Sequence, residues 1–237
     1  MQTIGLIGGM SWESSAVYYR LINQGMRDRL GALHSAKLLL WSAEFSAVAA
    51  RQANGEWDHL GHMLVDAALT LERGGADVIL ICSNTMHKVA DEVARAVSVP
   101  LLHIVNVTAE AIIRAGCRRP LLLATAFTMN DVFYRDHLQE QRDIVVLLPD
   151  DQERRVVHDI IYDELCQGLV KPASKLRYMD IVRLAEERGA DSIILGCTEI
   201  GLLLSQKDFK LPVFDTTLLH AEAAVNHALS THQPGRA

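Results

Sequence analysis

The stretch Ala190-Asp191-Ser192-Ile193-Ile194-Leu195-Gly196-Cys197-Thr198-Glu199 runs from a polar start through aliphatic residues into a glycine, a cysteine and two polar residues. A second stretch, Ala76-Asp77-Val78-Ile79-Leu80-Ile81-Cys82-Ser83-Asn84-Thr85, follows it without gaps and sets Ser83 opposite Cys197. Each is preceded by a helix-forming segment that ends in glycine, Glu72-Arg73-Gly74-Gly75 and Glu186-Glu187-Arg188-Gly189. Glycine is favoured where a helix ends in left-handed backbone, so each copy reads as helix, stop, buried strand and polar turn.

Two more echoes lie on either side. Gly5 to Met10, leading to Tyr19-Arg20, is similar to Leu121 to Ala126, leading to Tyr134-Arg135. Val99 to His103 with Ala109-Glu110-Ala111 is similar to Leu211 to Asp215 with Ala221-Glu222-Ala223. Three echoes in one order, offset by about 112 to 116 residues, indicate a duplicated unit.

Strand-like runs alternate with helical ones: strands are expected at 2–7, 36–41, 101–104, 120–125, 144–148 and 212–214, besides the two central runs. Helices are expected at 14–29, 59–74, 152–167 and 174–188, with Thr216-Thr217 capping the last one and 231–237 forming a tail. Most strands are continuously apolar, as in parallel sheets covered on both faces. The expected fold class is α/β, with two similar parallel-sheet domains related by a pseudo-twofold. Ligands of such sheets bind beyond the carboxyl ends of the strands. The polar residues collect there: Gly8-Gly9-Met10, Ser83-Asn84-Thr85, Thr125 to Thr128, Cys197-Thr198-Glu199 and Asp215-Thr216-Thr217. Two such sheets face to face would enclose one site, with Ser83 and Cys197 on opposite walls.

Composition narrows the class. With 237 residues, 49% of them apolar, the chain can fill two cores. A net charge of -6 disfavours nucleic acid and acidic membranes as partners. No basic leader opens the chain and no apolar run approaches the ~20 residues of a membrane span, so a soluble, cytoplasmic protein is expected. Cys82, Cys117, Cys166 and Cys197 show no C-x-x-C spacing, which argues against a disulfide framework or zinc knuckle. Gly5, Gly8 and Gly9 do not fit G-x-G-x-x-G, and no P-loop is present. His59 and His62 have ligand spacing on one helix but no third ligand nearby, so no metal is expected.

Among the cysteines only Cys197 sits where a strand gives way to a helix. There unpaired amides and the helix dipole favour the thiolate, below its reference pKa of about 8.5, making it a base or a nucleophile. A pair of proton-transfer groups facing one small ligand suits removal of a proton from one face of a stereocentre and its return to the other. A cysteine hydrolase needs a histidine beside the nucleophile, and His87 lies on the other repeat, one turn beyond Ser83.

Gly8-Gly9-Met10-Ser11, Ser83-Asn84-Thr85 with His87, Leu102-His103-Ile104, Gly196-Cys197-Thr198-Glu199 and Phe214-Asp215-Thr216-Thr217 with His220 are similar to the motifs of the aspartate/glutamate racemase family, nearly end to end. Within it the chain most resembles the bacterial aspartate/glutamate-specific amino-acid racemases. The resemblance implies a cofactor-independent racemase of two flavodoxin-like domains, a homodimer, with one proton-transfer cysteine from each domain. The first cysteine would serve the D-isomer and the second the L-isomer. Exchange of terminal strands in the family implies a first domain of 1–100 plus 212–230 and a second of 101–211.

The chain departs from the family at the first motif, where Ser83 stands for the usual cysteine. Cys82 is one residue early, and a shift of one on a strand turns the side chain to the other face. Some family members carry a hydroxyl residue there. An alcohol is a far weaker acid than a thiol, so its alkoxide is scarce, yet it can protonate a strongly basic carbanion. The expectation is that Cys197 deprotonates the L-isomer well while Ser83 is slow on the D-isomer. Without a pyridoxal electron sink, donors must hold the α-carboxylate. The candidates are Asn84, Thr85 and Thr198 with their amides, the backbone of Met10, and Thr125 and Thr128; the hydroxyls among them also suit plain helix caps. Glu199 would relay a proton or hold the ammonium, and Arg51 and Gln52 would hold the side-chain carboxylate. The lysine often found in the family falls near Cys166 here, leaving Lys171 as its replacement. Two alternatives stay open: a single-cysteine decarboxylase or isomerase of the same fold, and a non-catalytic amino-acid-binding protein.

Overall fold

The computed structural model describes residues 1–230, apart from the side chains of 140–142, and the expected tail 231–237 lies outside the described residues. In chain order the elements are β1 (Ile4–Gly8), α1 (Trp12–Leu30), β2 (Leu38–Ser42), α2 (Phe45–Ala53), α3 (Trp57–Arg73), β3 (Val78–Ile81), α4 (Ala90–Ala96), β4 (Leu101–Leu102), α5 (Ile104–Arg114), β5 (Pro120–Leu123), α6 (Ala126–Asn130), α7 (Phe133–Arg142), α8 (Asp151–Asp163), α9 (Pro172–Glu187), β6 (Ser192–Leu195), α10 (Ile200–Leu203), β7 (Val213–Asp215) and α11 (Thr216–Ser230). Short 3-10 turns follow β3 at Thr85–Val89 and α8 at Leu165–Gln167.

The strands form two sheets, one of order β2-β1-β3-β4 and one of order β5-β6-β7. Every pairing is parallel. The strand expected at 144–148 contributes only a bridge, Leu121 to Leu147, on the free side of β5. Counting it, the second sheet repeats the order of the first, which is the flavodoxin-like doubly wound order. The fold class read from the alternation is the one observed.

The chain divides into two compact units. One holds Met1–His103 and the segment from His220 onward, the other Ile104–Leu219. This corrects the expected division. Residues 101–102 pair with β3, through Ile79–Leu101 and Leu80–Leu102, and so belong to the first sheet. Residues 213–215 pair with β6, through Ile193–Val213 to Leu195–Asp215, and belong to the second. Ladder hydrogen bonds therefore keep each terminal strand in its own sheet, and the boundary falls inside α11, after Leu219.

The repeated Ala-Asp pair has a mechanical explanation. α3 and α9 both end on a glycine with positive φ, Gly75 at 94° and Gly189 at 92°. The next amide reaches back over the turn, Ala76 to Leu71 O and Ala190 to Ala185 O, each at 3.0 Å, closing orphan carbonyls. The aspartate that follows ties down the neighbouring strand: Asp77 Oδ2 accepts from Thr3 N at 2.6 Å, and Asp191 Oδ2 from Arg118 N and Arg119 N at 2.6 and 2.9 Å.

Packing follows the pleat. Ile7, Ile79 and Ile81 join the core under α3 and α4, while Ile4, Leu6, Val78, Leu80 and Cys82 face Tyr18 and Ile22 of α1 and Ala221, Ala224 and Val225 of α11. Covering both faces is what requires strands without polar alternation. The second unit closes over Leu121 to Leu123, Ile193 to Leu195, and the inward faces of α5, α8 and α9.

Candidate active site

The first unit gathers its candidate residues at the carboxyl ends of β1 and β3, the switch point of the sheet. Gly9 turns the chain there with φ of 82°, and its N–H donates to Ser15 Oγ at 2.8 Å. Met10 is buried and its side chain belongs to the apolar core. Ser83 is half-buried. Its Oγ accepts from Met86 N at 3.4 Å, and its carbonyl accepts from Nδ1–H of His87 at 2.7 Å. Asn84 and Thr85 are buried where the 3-10 turn begins.

Gln52 is 5% exposed and its Nε2 reaches Met86 Sδ at 3.2 Å, which brings it to the turn that starts at Ser83. Arg51 goes elsewhere: its Nη1 pairs with Glu56 Oε2 at 3.4 Å on the unit's surface. Cys82 points into the opposite face with 1% exposure, and burial pushes its thiol far up. It is therefore no substitute for a cysteine at 83.

In the second unit the equivalent switch point lies between β5 and β6. Thr125 and Thr128 are buried at the end of β5 with hydroxyls 3.4 Å apart. Gly196 follows β6, where a Cβ would meet Leu122 Cδ1 at 2.8 Å, Ala124 Cβ at 3.1 Å and Leu123 O at 3.3 Å. Cys197, next in line, is half-buried and donates from Sγ to Glu199 Oε2 at 2.9 Å. Thr198 Oγ1 donates to the same oxygen at 2.7 Å, and Glu199 is 4% exposed. Asp215, not Thr216 or Thr217, caps α11: its Oδ1 accepts from Thr217 N and Leu218 N at 2.9 and 3.1 Å. Thr216 Oγ1 instead donates to Leu195 O at 2.8 Å.

The electrostatics of Cys197 reverse the expectation. Burial, then the Glu199 carboxylate and its hydrogen bond, hold the thiol well above its usual pKa. The helix that follows is only the four residues of α10, too short for a strong dipole, and Glu199 puts a negative charge at its start. Cys197 therefore rests as a thiol whose proton is already bonded to a carboxylate.

Three side chains not foreseen as site residues join it: His158 and Tyr162 of α8, and Cys166 in the turn beyond. His158 Nδ1 accepts from Ala126 N at 3.3 Å, and its ring lies 4.6 Å from that of Tyr162. Cys166 donates to Glu199, and burial and that carboxylate push its thiol up to about 12. Burial lowers the His158 pKa and raises that of Tyr162, which also feels Cys166, Cys197 and Glu199. The wall is therefore uncharged at neutral pH. Its residues recur every four positions, 158, 162 and 166, a helical-face signal present in the sequence. Lys171 pairs with Glu164 at 3.2 Å instead. His59 and His62 are exposed on α3, and among the described residues no group of three or more metal-ligating side chains could hold an ion. No helix among them is long and apolar enough to cross a membrane.

Comparison with known proteins identifies the family. The Asp/Glu/Hydantoin racemase family model matches residues 7–224. A Yersinia pestis structure provisionally named an Asp/Glu racemase is 47% identical, covers 97% of this chain and 100% of its own, and has a TM-score of 0.90. An aspartate racemase homologue from Pyrococcus horikoshii is 34% identical, with 96% and 99% coverage and a TM-score of 0.85. The broad specificity amino-acid racemase RacX of Bacillus subtilis is 25% identical over 96% of this chain and 98% of its own.

Proposed function

Because the chain belongs to the Asp/Glu/hydantoin racemase family, we propose that it is an amino-acid racemase that inverts aspartate or glutamate without a cofactor, with Cys197 and Ser83 as its two proton-transfer groups. The observation that carries this reading is the hydrogen bond of Cys197 to the buried Glu199 at a strand end whose repeat holds Ser83.

The chemistry follows from the resting state. Glu199 takes the Cys197 proton as the substrate arrives, and the substrate's ammonium offsets the negative charge. A thiolate whose pKa is raised is a stronger base, which narrows its gap to the weakly acidic α-proton. Cys197 then removes that proton from the L-isomer, and the Ser83 hydroxyl protonates the carbanion on its other face. Giving up its proton leaves Ser83 an alkoxide, which solvent reprotonates before the next turnover. The reverse run must start from that alkoxide, so the Ser83 step is the slower one in either direction. Since a catalyst leaves the equilibrium between enantiomers unchanged, the slow step limits net inversion in both directions.

Asn84, Thr85 and Thr198 with their amides are assigned to the α-carboxylate as charge develops. Met10 through its backbone, Thr125 and Thr128 complete that set. Gln52 is assigned to the side-chain carboxylate, and Arg51 joins it only after leaving Glu56. A homodimer is part of the reading, and sedimentation tests it.

Incubation with each enantiomer of aspartate and glutamate, without cofactor, followed by chiral chromatography, tests the function. Appearance of the opposite enantiomer supports it. Release of carbon dioxide from a malonate-type acid without inversion would establish the decarboxylase instead, and binding without turnover the amino-acid-binding protein.

A further inference from the structure

Behind the Ser83 turn the first unit holds a histidine cluster to which the chemistry above gives no part. His87 is 3% exposed. A backbone carbonyl can only accept, so the 2.7 Å contact with Ser83 O puts the ring proton on Nδ1. The ring meets that of His103 edge-on, with centroids 4.7 Å apart, and that of His220 at 5.8 Å.

His220 is wholly buried. Its Nε2–H donates to Leu102 O at 2.8 Å, so its Nδ1 accepts the Tyr18 hydroxyl, also at 2.8 Å. Burial lowers its pKa to about 4, which keeps it neutral. One neighbour of His87 is thus a rigid ring of constant charge, anchored to α1 and to the end of β4.

We infer that His87 is a positioning residue for Ser83: its Nδ1–H holds the Ser83 carbonyl while the Met86 amide holds the hydroxyl, fixing the direction of proton delivery without His87 touching the substrate. The inference rests on the reading of Ser83 as a proton-transfer group. A hydroxyl displaced by a fraction of an ångström loses alignment with the reacting carbon. The Cys197 step, made by the other unit, does not depend on this clamp.

The test compares wild type, His87→Leu and His87→Asn with L-aspartate in D2O. Two quantities are read: deuteration with retention, which needs Cys197 alone, and inversion, which also needs Ser83. His87→Leu should reduce inversion about tenfold to a hundredfold and leave retained exchange nearly unchanged. His87→Asn, whose amide N–H can take the place of Nδ1–H, should recover most of the inversion. An unchanged ratio of inversion to exchange in His87→Leu overturns the inference.

Nitrogen NMR of the wild-type imidazole provides a readout independent of turnover. The Nδ1–H tautomer of His87 is expected at neutral pH, with faster exchange of the Met86 amide in His87→Leu. An Nε2–H tautomer, or an unchanged Met86 amide, overturns the clamp even if the wild type turns over nothing, a result that would separately sink the racemase reading.

Discussion

The Cys197 sulfur donates to Glu199 Oε2 at 2.9 Å, and Thr198 Oγ1 donates to the same oxygen at 2.7 Å. Carboxylate and thiol thus belong to one three-residue turn at the end of β6. The first consequence concerns ionisation. Glu199→Gln removes a charge that opposes the thiolate, so Cys197 should titrate at lower pH. Alkylation by iodoacetamide as a function of pH, followed by peptide mapping, should show the Cys197 profile displaced to lower pH in the variant. Racemisation should fall in the same variant, because the amide cannot take the proton.

Stability at alkaline pH follows from the thiols held above their usual pKa. Cys82, Cys166 and Cys197 all have folded-state pKa values raised, first of all by burial. Above the unfolded thiol pKa of about 8.5 the unfolded chain loses these protons while the folded one keeps them. Unfolding is thereby favoured as pH rises further. Urea midpoints should decline above that pH, and Cys82→Ala should make the decline shallower.

The helix stops give a prediction about backbone alone. Gly75 has φ of 94° and open space around the place a Cβ would take, so Gly75→Ala should cost about 1 to 2 kcal/mol from conformation only. Gly189→Ala has the same backbone penalty with Arg119 3.2 Å from the new methyl. Equilibrium denaturation should find it at least as destabilised.

Much of this was legible because it was repeated. Ala-Asp, the glycine stops and the apolar runs each have a local mechanical role, so the duplicated α/β fold and the strand-end location of Ser83 and Cys197 could be read from residue types. What escaped depends on partners distant in sequence. Ladder pairing assigned 101–102 and 213–215 to their sheets, which no residue type announces. The Cys197 pKa turned on burial and on where the Glu199 carboxylate folds back, and a dipole argument cannot supply either. Arg51 was a reasonable cation by type, but Glu56, five residues on, had claimed it. The wall of His158, Tyr162 and Cys166 was visible as spacing, yet its relation to Cys197 required the packing of α8 over the strand ends.

The proposed division of labour between the thiol and the alcohol predicts unequal rates. In wild type, α-deuteration of L-aspartate or L-glutamate should outrun that of the D-enantiomer, since the alkoxide is the scarcer base. Cys197→Ala should abolish exchange of the L-substrate.

The most direct test is Ser83→Cys, which places a thiol opposite Cys197 in the repeat. With D2O as solvent and proton NMR following the α-position, the variant should accelerate exchange of the D-enantiomer far more than that of the L-enantiomer. Equal acceleration of both enantiomers, or none, would contradict the assignment of Ser83 to the D-face and of Cys197 to the L-face.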